Sequence, residues 1–147
     1  MNAEARGAKR GSPRILVVED DPAMRDLVQA VLHNKGYLVE GAGDGLEALV
    51  RLQRGKFDVV VTDFEMPRLD GLALLREIGR MEIPLPVIVF TGHTDASTES
   101  SLRQAGAFRV LKKGDHLQDL ARWVGKAYGG SRDAYARLCV STGAEKR

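Results

Sequence analysis

The sequence is short of several things. It holds one cysteine, Cys139, and one tryptophan, and aromatic residues make up only 5% of its 147 positions. A single thiol cannot close an internal disulfide or build a cysteine-rich zinc site, so Cys139 reads as a small, half-buried hydrophobe. Unbroken aliphatic or aromatic runs, such as Ile15–Val18 and Val87–Phe90, stop at four residues. A membrane-spanning helix needs about 20. The N-terminal MNAEARGAKRGSP carries charge with no apolar stretch behind it, so it is not a secretory signal. These absences fit a reduced, cytoplasmic setting.

A surplus of one charge sign is also missing. Lysine and arginine total 22 against 20 acidic residues, a net of +2. The surplus sits at the ends: residues 1–13 and 129–147 each carry +2, and 14–128 carries −2. Nucleic-acid-binding domains show a basic face with aromatic or groove-reading side chains, and this core shows neither. What remains, 44% apolar and 29% charged residues, is ordinary for one globular domain.

From Arg14 onward short apolar runs alternate with helical patterns. Arg14–Val18 is continuously apolar and β-branched, as in a strand buried on both faces. Asp21 and Pro22 open a helix as N-cap and first residue, with Met24, Leu27, Val28, Val31 and Leu32 as its inward stripe and Gly36 as its stop. The pattern then predicts strands at Tyr37–Glu40, Phe57–Thr62, Pro86–Phe90 and Arg109–Leu111. Helices are predicted over Glu47–Arg54, Leu72–Arg80, Ser97–Ala105 and about His116–Tyr128. Ser131–Val140 reads as one more short helix in the tail, with Ala134, Tyr135, Leu138 and Cys139 as its apolar residues. Alternation of this kind predicts an α/β fold: a flavodoxin-like, doubly wound five-stranded parallel sheet of order 2-1-3-4-5 with helices on both faces.

In such a sheet ligands bind beyond the carboxyl ends of the strands. Glu19 and Asp20 follow the first strand, Asp63 the third, Thr91 the fourth, and Lys112 and Lys113 the fifth. Strands one and three are neighbours in this order, so Glu19, Asp20 and Asp63 converge. Clustered carboxylates repel one another, and a hard divalent cation relieves that; an oxygen-only set with open positions suits Mg2+. A lysine at the next strand edge adds positive charge. Such a site is built to accept a phosphoryl group on a carboxylate nucleophile.

The stretch Ile15-Leu-Val-Val-Glu-Asp-Asp-Pro22, the loop Asp63-x-x-Met66-Pro67-x-x-Asp70-Gly71, the strand Val87–Thr91 and the segment Gly106-Ala107…Lys113 together resemble the receiver domain of bacterial two-component response regulators. The resemblance covers 14–128, with 1–13 and 129–147 as tails. It implies phosphorylation on Asp63 by a sensor histidine kinase or a histidine phosphotransfer protein, with Mg2+ as cofactor. Asp20 would bind the metal directly, Glu19 mainly through water, and Asp63 and the backbone carbonyl of Glu65 would complete the protein ligands. Thr91 would hydrogen-bond the phosphoryl group and Lys113 would pair with it or with Asp63. Glu65 and His93 would overhang the site and set the lifetime of the phosphorylated state.

Two positions depart from the family pattern. Gly114 stands where a proline, often after a cis bond, commonly follows the lysine, which leaves Lys113 less rigidly aimed. Val110 stands at the usual switch aromatic, so no ring there can rotate behind Thr91. Phe108 is expected to pack in the core or loop, and Trp123 to be partly exposed. The expectation is a single-domain regulator, not itself called an enzyme, that signals through a downstream protein target, with no nucleic-acid or membrane partner and with homodimerisation on activation left open. The alternative is a phosphorylation-independent interaction module. A nucleotide- or flavin-binding enzyme fits worse, because Glu19, Asp20 and Asp21 occupy the place of a phosphate loop.

Overall fold

The computed structural model describes residues 11–92, 94–114 and 117–142, with 131–142 described by backbone alone. Five strands, β1 (Arg14–Val18), β2 (Leu38–Ala42), β3 (Val59–Thr62), β4 (Val87–Thr91) and β5 (Arg109–Lys112), form one parallel sheet of order β2-β1-β3-β4-β5. The helices α1 (Pro22–Asn34), α2 (Gly45–Arg54), α3 (Gly71–Gly79), α4 (Ala96–Gln104) and α5 (Leu117–Thr142) join them. The predicted class and strand order are both found.

The continuously apolar strands are what a sheet covered on both faces requires. Side chains alternate between faces with period two. Ile15, Val17, Val59, Val61, Ile88 and Phe90 pack with Val28 and Leu32 of α1 and Leu120 and Val124 of α5. Leu16, Val18, Val60, Val87 and Val89 pack on the other face with Ala48 of α2, Leu74 and Ile78 of α3 and Leu102 of α4. The strands that carry the interior are the three central ones. At the edges, β2 buries only Ala42 and β5 leaves Arg109 and Lys112 exposed.

Helix starts follow capping chemistry. Asp21, Asp44, Asp70 and Asp95 are N-caps whose carboxylates accept backbone N–H groups from Ala23, Glu47, Ala73 and Thr98. Asp44 moves the start of α2 to Gly45, two residues before the expected Glu47. Glu47 answers by accepting the Gly43 N–H at 2.7 Å, a variant of the reciprocal capping box.

The C-terminal end differs from expectation. Instead of a break near Tyr128 and a separate short helix, α5 runs without interruption from Leu117 to Thr142, about 39 Å at the rise of an α-helix. Gly129 and Gly130 do not take the positive φ of a helix-ending cap. Each then costs only about 1 kcal/mol relative to alanine, which is too little to stop a helix. The side chains of the predicted tail helix and Cys139 lie outside the description.

Asp44 does more than cap. It is buried, and it also accepts from Arg68 Nε at 2.9 Å and pairs with the Arg68 guanidinium, tying α2 to the loop after β3. The Glu47 N–H holds its carboxyl below the ordinary 3.8, against an opposing push from burial and with help from Arg68. A depressed folded pKa means stability present above 3.8 and lost as pH falls through the folded value. Asp44→Ala should therefore cost about 1–2 kcal/mol in urea unfolding at neutral pH, with the gap from the native chain narrowing below about pH 4.

Candidate functional site

The site forms where β1, β3, β4 and β5 end. Val18 lies beside Thr62, Thr62 beside Val89, and Thr91 beside Lys112. Parallel strands in register carry the next residue of each to a common edge, so Glu19, Asp63 and Lys113 meet. The Glu19 N–H donates to Ala42 at 3.0 Å, the Asp63 N–H to Val18 at 3.0 Å and the Lys113 N–H to Thr91 at 2.9 Å. Glu19, Asp63 and Lys113 are thus each anchored through their own backbone.

Glu19 and Asp63 are buried, 4% and 7% exposed, and Asp20 beside them is exposed. One carboxylate oxygen from each lies within 4.8 Å of the others. The Lys113 ammonium joins the two buried acids, at 2.6 Å from Glu19 Oε1 and 2.9 Å from Asp63 Oδ2. Burial raises the Glu19 carboxyl above its ordinary 4.5, with the Asp63 charge adding to that and Lys113 and the Asp21 N–H opposing it. Burial would lower Lys113, but its hydrogen bonds and charge interactions with Glu19 and Asp63 outweigh this and raise it above 10.5.

The loop after β3 is held by close contacts. The Phe64 N–H donates to Asp63 Oδ1 at 2.7 Å, which fixes that oxygen and leaves Oδ2 to Lys113. The Gly71 N–H donates to Phe64 at 2.8 Å. A Cβ on Gly71 would stand 2.4 Å from the carbonyl oxygen of Asp63, and one on Gly45 would stand 2.4 Å from that of Leu69. Both positions require glycine for space. Arg68 takes a positive φ of 68° between them, with its guanidinium on Asp44.

Glu19, Asp20, Asp63 and Lys113 come together, and Thr91 adjoins them through its backbone. Thr91 is buried at the end of β4, and its carbonyl takes the Lys113 N–H. Glu65 lies in the Asp63 loop with an exposed side chain, and its carboxylate is not one of the clustered three. His93 lies outside the described residues. There is no cis peptide bond among the described residues. Lys113 is nonetheless held by a backbone hydrogen bond and two ion pairs, so glycine after it does not leave it loose. Val110 packs into the core on the face of α2, α3 and α4. Phe108 is 41% exposed, not core, and its ring meets that of Trp123 edge-on; Trp123 is half-buried, as expected.

The family model for the response regulator receiver domain matches residues 15–124. The chain belongs to that family. The receiver is similar to the response regulator MprA of Mycobacterium leprae, 40% identical over 107 residues, 73% of this chain and 47% of that protein. It is also similar to the transcriptional regulatory protein ZraR of Salmonella typhimurium, 32% identical across 92% of this chain and 31% of that one. The chain thus spans less than half the length of these curated relatives. Among solved structures, the receiver resembles a CheY-like receiver domain protein from Methanospirillum hungatei, with TM-score 0.80, 25% identity and coverage of 84% of this chain and 98% of that one. It also resembles TrrA from Thermotoga maritima in complex with Mg2+-BeF, with TM-score 0.72, 32% identity and coverage of 78% and 98%. No helix among the described residues is long and apolar enough to cross a membrane.

The cluster makes a stability prediction. Lys113→Met leaves two buried carboxylates without their cation, which should cost about 2 kcal/mol at neutral pH. Glu19 then has a folded pKa still further above 4.5, so the variant regains stability as pH falls through that value and loses it as pH rises. Unfolding curves measured at pH 7 and pH 5 check this: the difference from the native chain should shrink at pH 5.

Proposed function

We infer that this receiver is a phosphoacceptor switch that takes a phosphoryl group on Asp63 from a sensor histidine kinase or a histidine phosphotransfer protein and signals through protein contacts. The observation that carries the reading is the joint placement of Asp63, Glu19 and Asp20 within 4.8 Å, with Lys113 bridging the first two. Membership of a two-component regulatory family supports it, and so does a similar protein solved with Mg2+-BeF.

The donor set fits Mg2+, a hard cation that accepts one or two carboxylates and keeps waters. Asp20 and Asp63 would hold it, with the backbone carbonyl of Glu65 and, through water, Glu19. When bound, the ion supplies charge neutralisation for the transferred oxygens.

The chain's own residues supply the rest. Asp63 Oδ2 attacks phosphorus; the P–O bond to Asp63 forms as the P–N bond to the donor imidazole breaks, and the imidazole leaves with the electron pair and takes up a proton. Lys113, already on Oδ2, holds charge beside the reacting oxygens at no reorganisation cost. Phe64 N–H keeps Oδ1 in place. Thr91, at the end of β4, hydrogen-bonds the phosphoryl group once it has arrived. The product is an aspartyl phosphate whose presence biases a two-state equilibrium on the face around α4 and β5. Glu65, exposed beside the acceptor, and His93, two residues after Thr91 in sequence, restrict the water that hydrolyses it. The cytoplasm, where such donors work, is its place of action.

Incubation with Mg2+ and acetyl phosphate should give a phosphoryl adduct by intact mass, absent from Asp63→Asn and abolished by chelating the metal. An unmodified native chain would favour a phosphorylation-independent module instead. Once the adduct is made and acetyl phosphate is removed with Mg2+ retained, Glu65→Ala and His93→Ala should each shorten its lifetime as followed by intact mass; an unchanged decay would remove both from the hydrolysis step.

A further inference from the structure

Of the three clustered acids, two share a cation and one does not. Lys113 holds Glu19 and Asp63 but not Asp20, whose side chain is exposed. The direction of the Asp20 carboxylate therefore rests on its backbone, which is held on both sides. The N–H of Asp21, the next residue, donates to Glu19 Oε2 at 3.2 Å. The carbonyl of Glu19, the residue before, accepts from Arg25 Nη1 at 2.7 Å. Arg25 stands in the first turn of α1, and its own N–H donates to the Asp21 carbonyl at 2.9 Å. Of these ties, the one on the peptide between Glu19 and Asp20 comes from a side chain outside the acidic run.

That side chain is half-buried and passes the end of β2 on its way. A Cβ on Gly41 would stand 3.1 Å from Arg25 Cδ and 2.7 Å from Gln29 Oε1, and one on Gly43 would stand 3.6 Å from Arg25 Nη1. A side chain at 41 would crowd both Arg25 and Gln29, so glycine there leaves the guanidinium its route to Glu19. A hydrogen bond from a cation to a carbonyl is about twice as strong as a neutral one, which suits it to fixing a peptide plane.

We propose that Arg25 is a positioning residue for the divalent cation that Asp20 and Asp63 would hold. Its guanidinium fixes the peptide between Glu19 and Asp20, and rotation of that peptide would swing the Asp20 carboxylate away from Asp63. The cation is the one the phosphoacceptor reading calls for, so the proposal rests on that reading for its ligand. Position and charge act in opposite directions here. A positive charge beside a cation site by itself weakens cation binding. Losing Arg25 would thus tighten Mg2+ if charge alone acted, and loosens it if position decides.

Calorimetric titration of Mg2+ into the full chain, with no phosphodonor present, reads that sign. Arg25→Met keeps an aliphatic stem and removes the donor. It should weaken Mg2+ binding about tenfold, as loss of a group that orients a metal ligand does. Gly41→Val keeps Arg25 but closes its route, and should weaken binding to a similar extent. The double variant should be no weaker than Arg25→Met, because both changes remove one contact. All are compared at a temperature where circular dichroism shows them folded. With acetyl phosphate, the Mg2+ concentration giving half the maximal phosphorylation rate should rise about tenfold in Arg25→Met, while the rate at saturating Mg2+ stays within about twofold of the native one. Affinity unchanged or raised in Arg25→Met overturns the proposal, as does native affinity in Gly41→Val or a fall in the saturated rate with the Mg2+ requirement unchanged. A native chain that binds Mg2+ but takes no phosphoryl group would end the phosphoacceptor reading and leave the role of Arg25 standing on the calorimetry.

Discussion

Two carboxylates and one ammonium group at the end of a parallel sheet set the terms for the rest of this molecule. Glu19 and Asp63 are buried at the ends of adjacent strands, where an unpaired charge is costly. Lys113 comes from a third strand to reach both. A cluster drawn from residues 19, 63 and 113 exists only when β1, β3, β4 and β5 are in register, so it reports on the whole sheet. The fold does not merely carry the site: the register that buries the valines is the register that gathers the charges.

A site of this kind has to be held open to chemistry while its scaffold stays rigid. The loop after β3 shows how. Gly71 lets α3 begin against the carbonyl of Asp63, and Gly45 lets α2 begin against that of Leu69. Asp70 and Asp44 cap those two helices, and Arg68 spans the gap to Asp44 from a left-handed backbone conformation that a non-glycine residue adopts at a cost. Helix caps, close glycine contacts and one ion pair thus fix the segment on which Asp63 stands. None of these groups is one of the clustered carboxylates, and all of them constrain where Asp63 can point.

Much of this was legible in the sequence because its signals were local and redundant. Apolar β-branched runs marked the central strands, and acids or lysines standing directly after them marked the site. What escaped was decided by geometry between elements. The start of α2 depends on Asp44 being a cap, which the expected start at Glu47 passes over. The end of α5 lies beyond the expected Tyr128 because Gly129 and Gly130 stay helical, at a cost of only about 1 kcal/mol each. Of the two places expected for Phe108, core or loop, it takes the loop, and its exposure follows from its position just before an edge strand. The Arg68–Asp44 pair joins positions 24 apart, and no pattern in one sequence announces such a pairing.

The two departures from the family pattern act differently in three dimensions. Glycine at 114 removes a rigid residue after Lys113, yet the lysine is fixed from both ends, by its N–H on Thr91 and its ammonium on two acids. The loss at that point is compensated within the site. Valine at 110 has no such substitute. It sits beside Val89 in the sheet and packs inward, so a ring cannot swing there to relay what happens at Thr91. Thr91 of β4 and Lys113 after β5 are joined by one backbone hydrogen bond, and that bond couples the Asp63 end to β5. The aromatic side chains available on this flank are Phe108 and Trp123, at the far end of that strand and on the helix beside it. Chemistry and aromatic surface therefore lie at opposite ends of the β5 edge, linked by four residues of backbone.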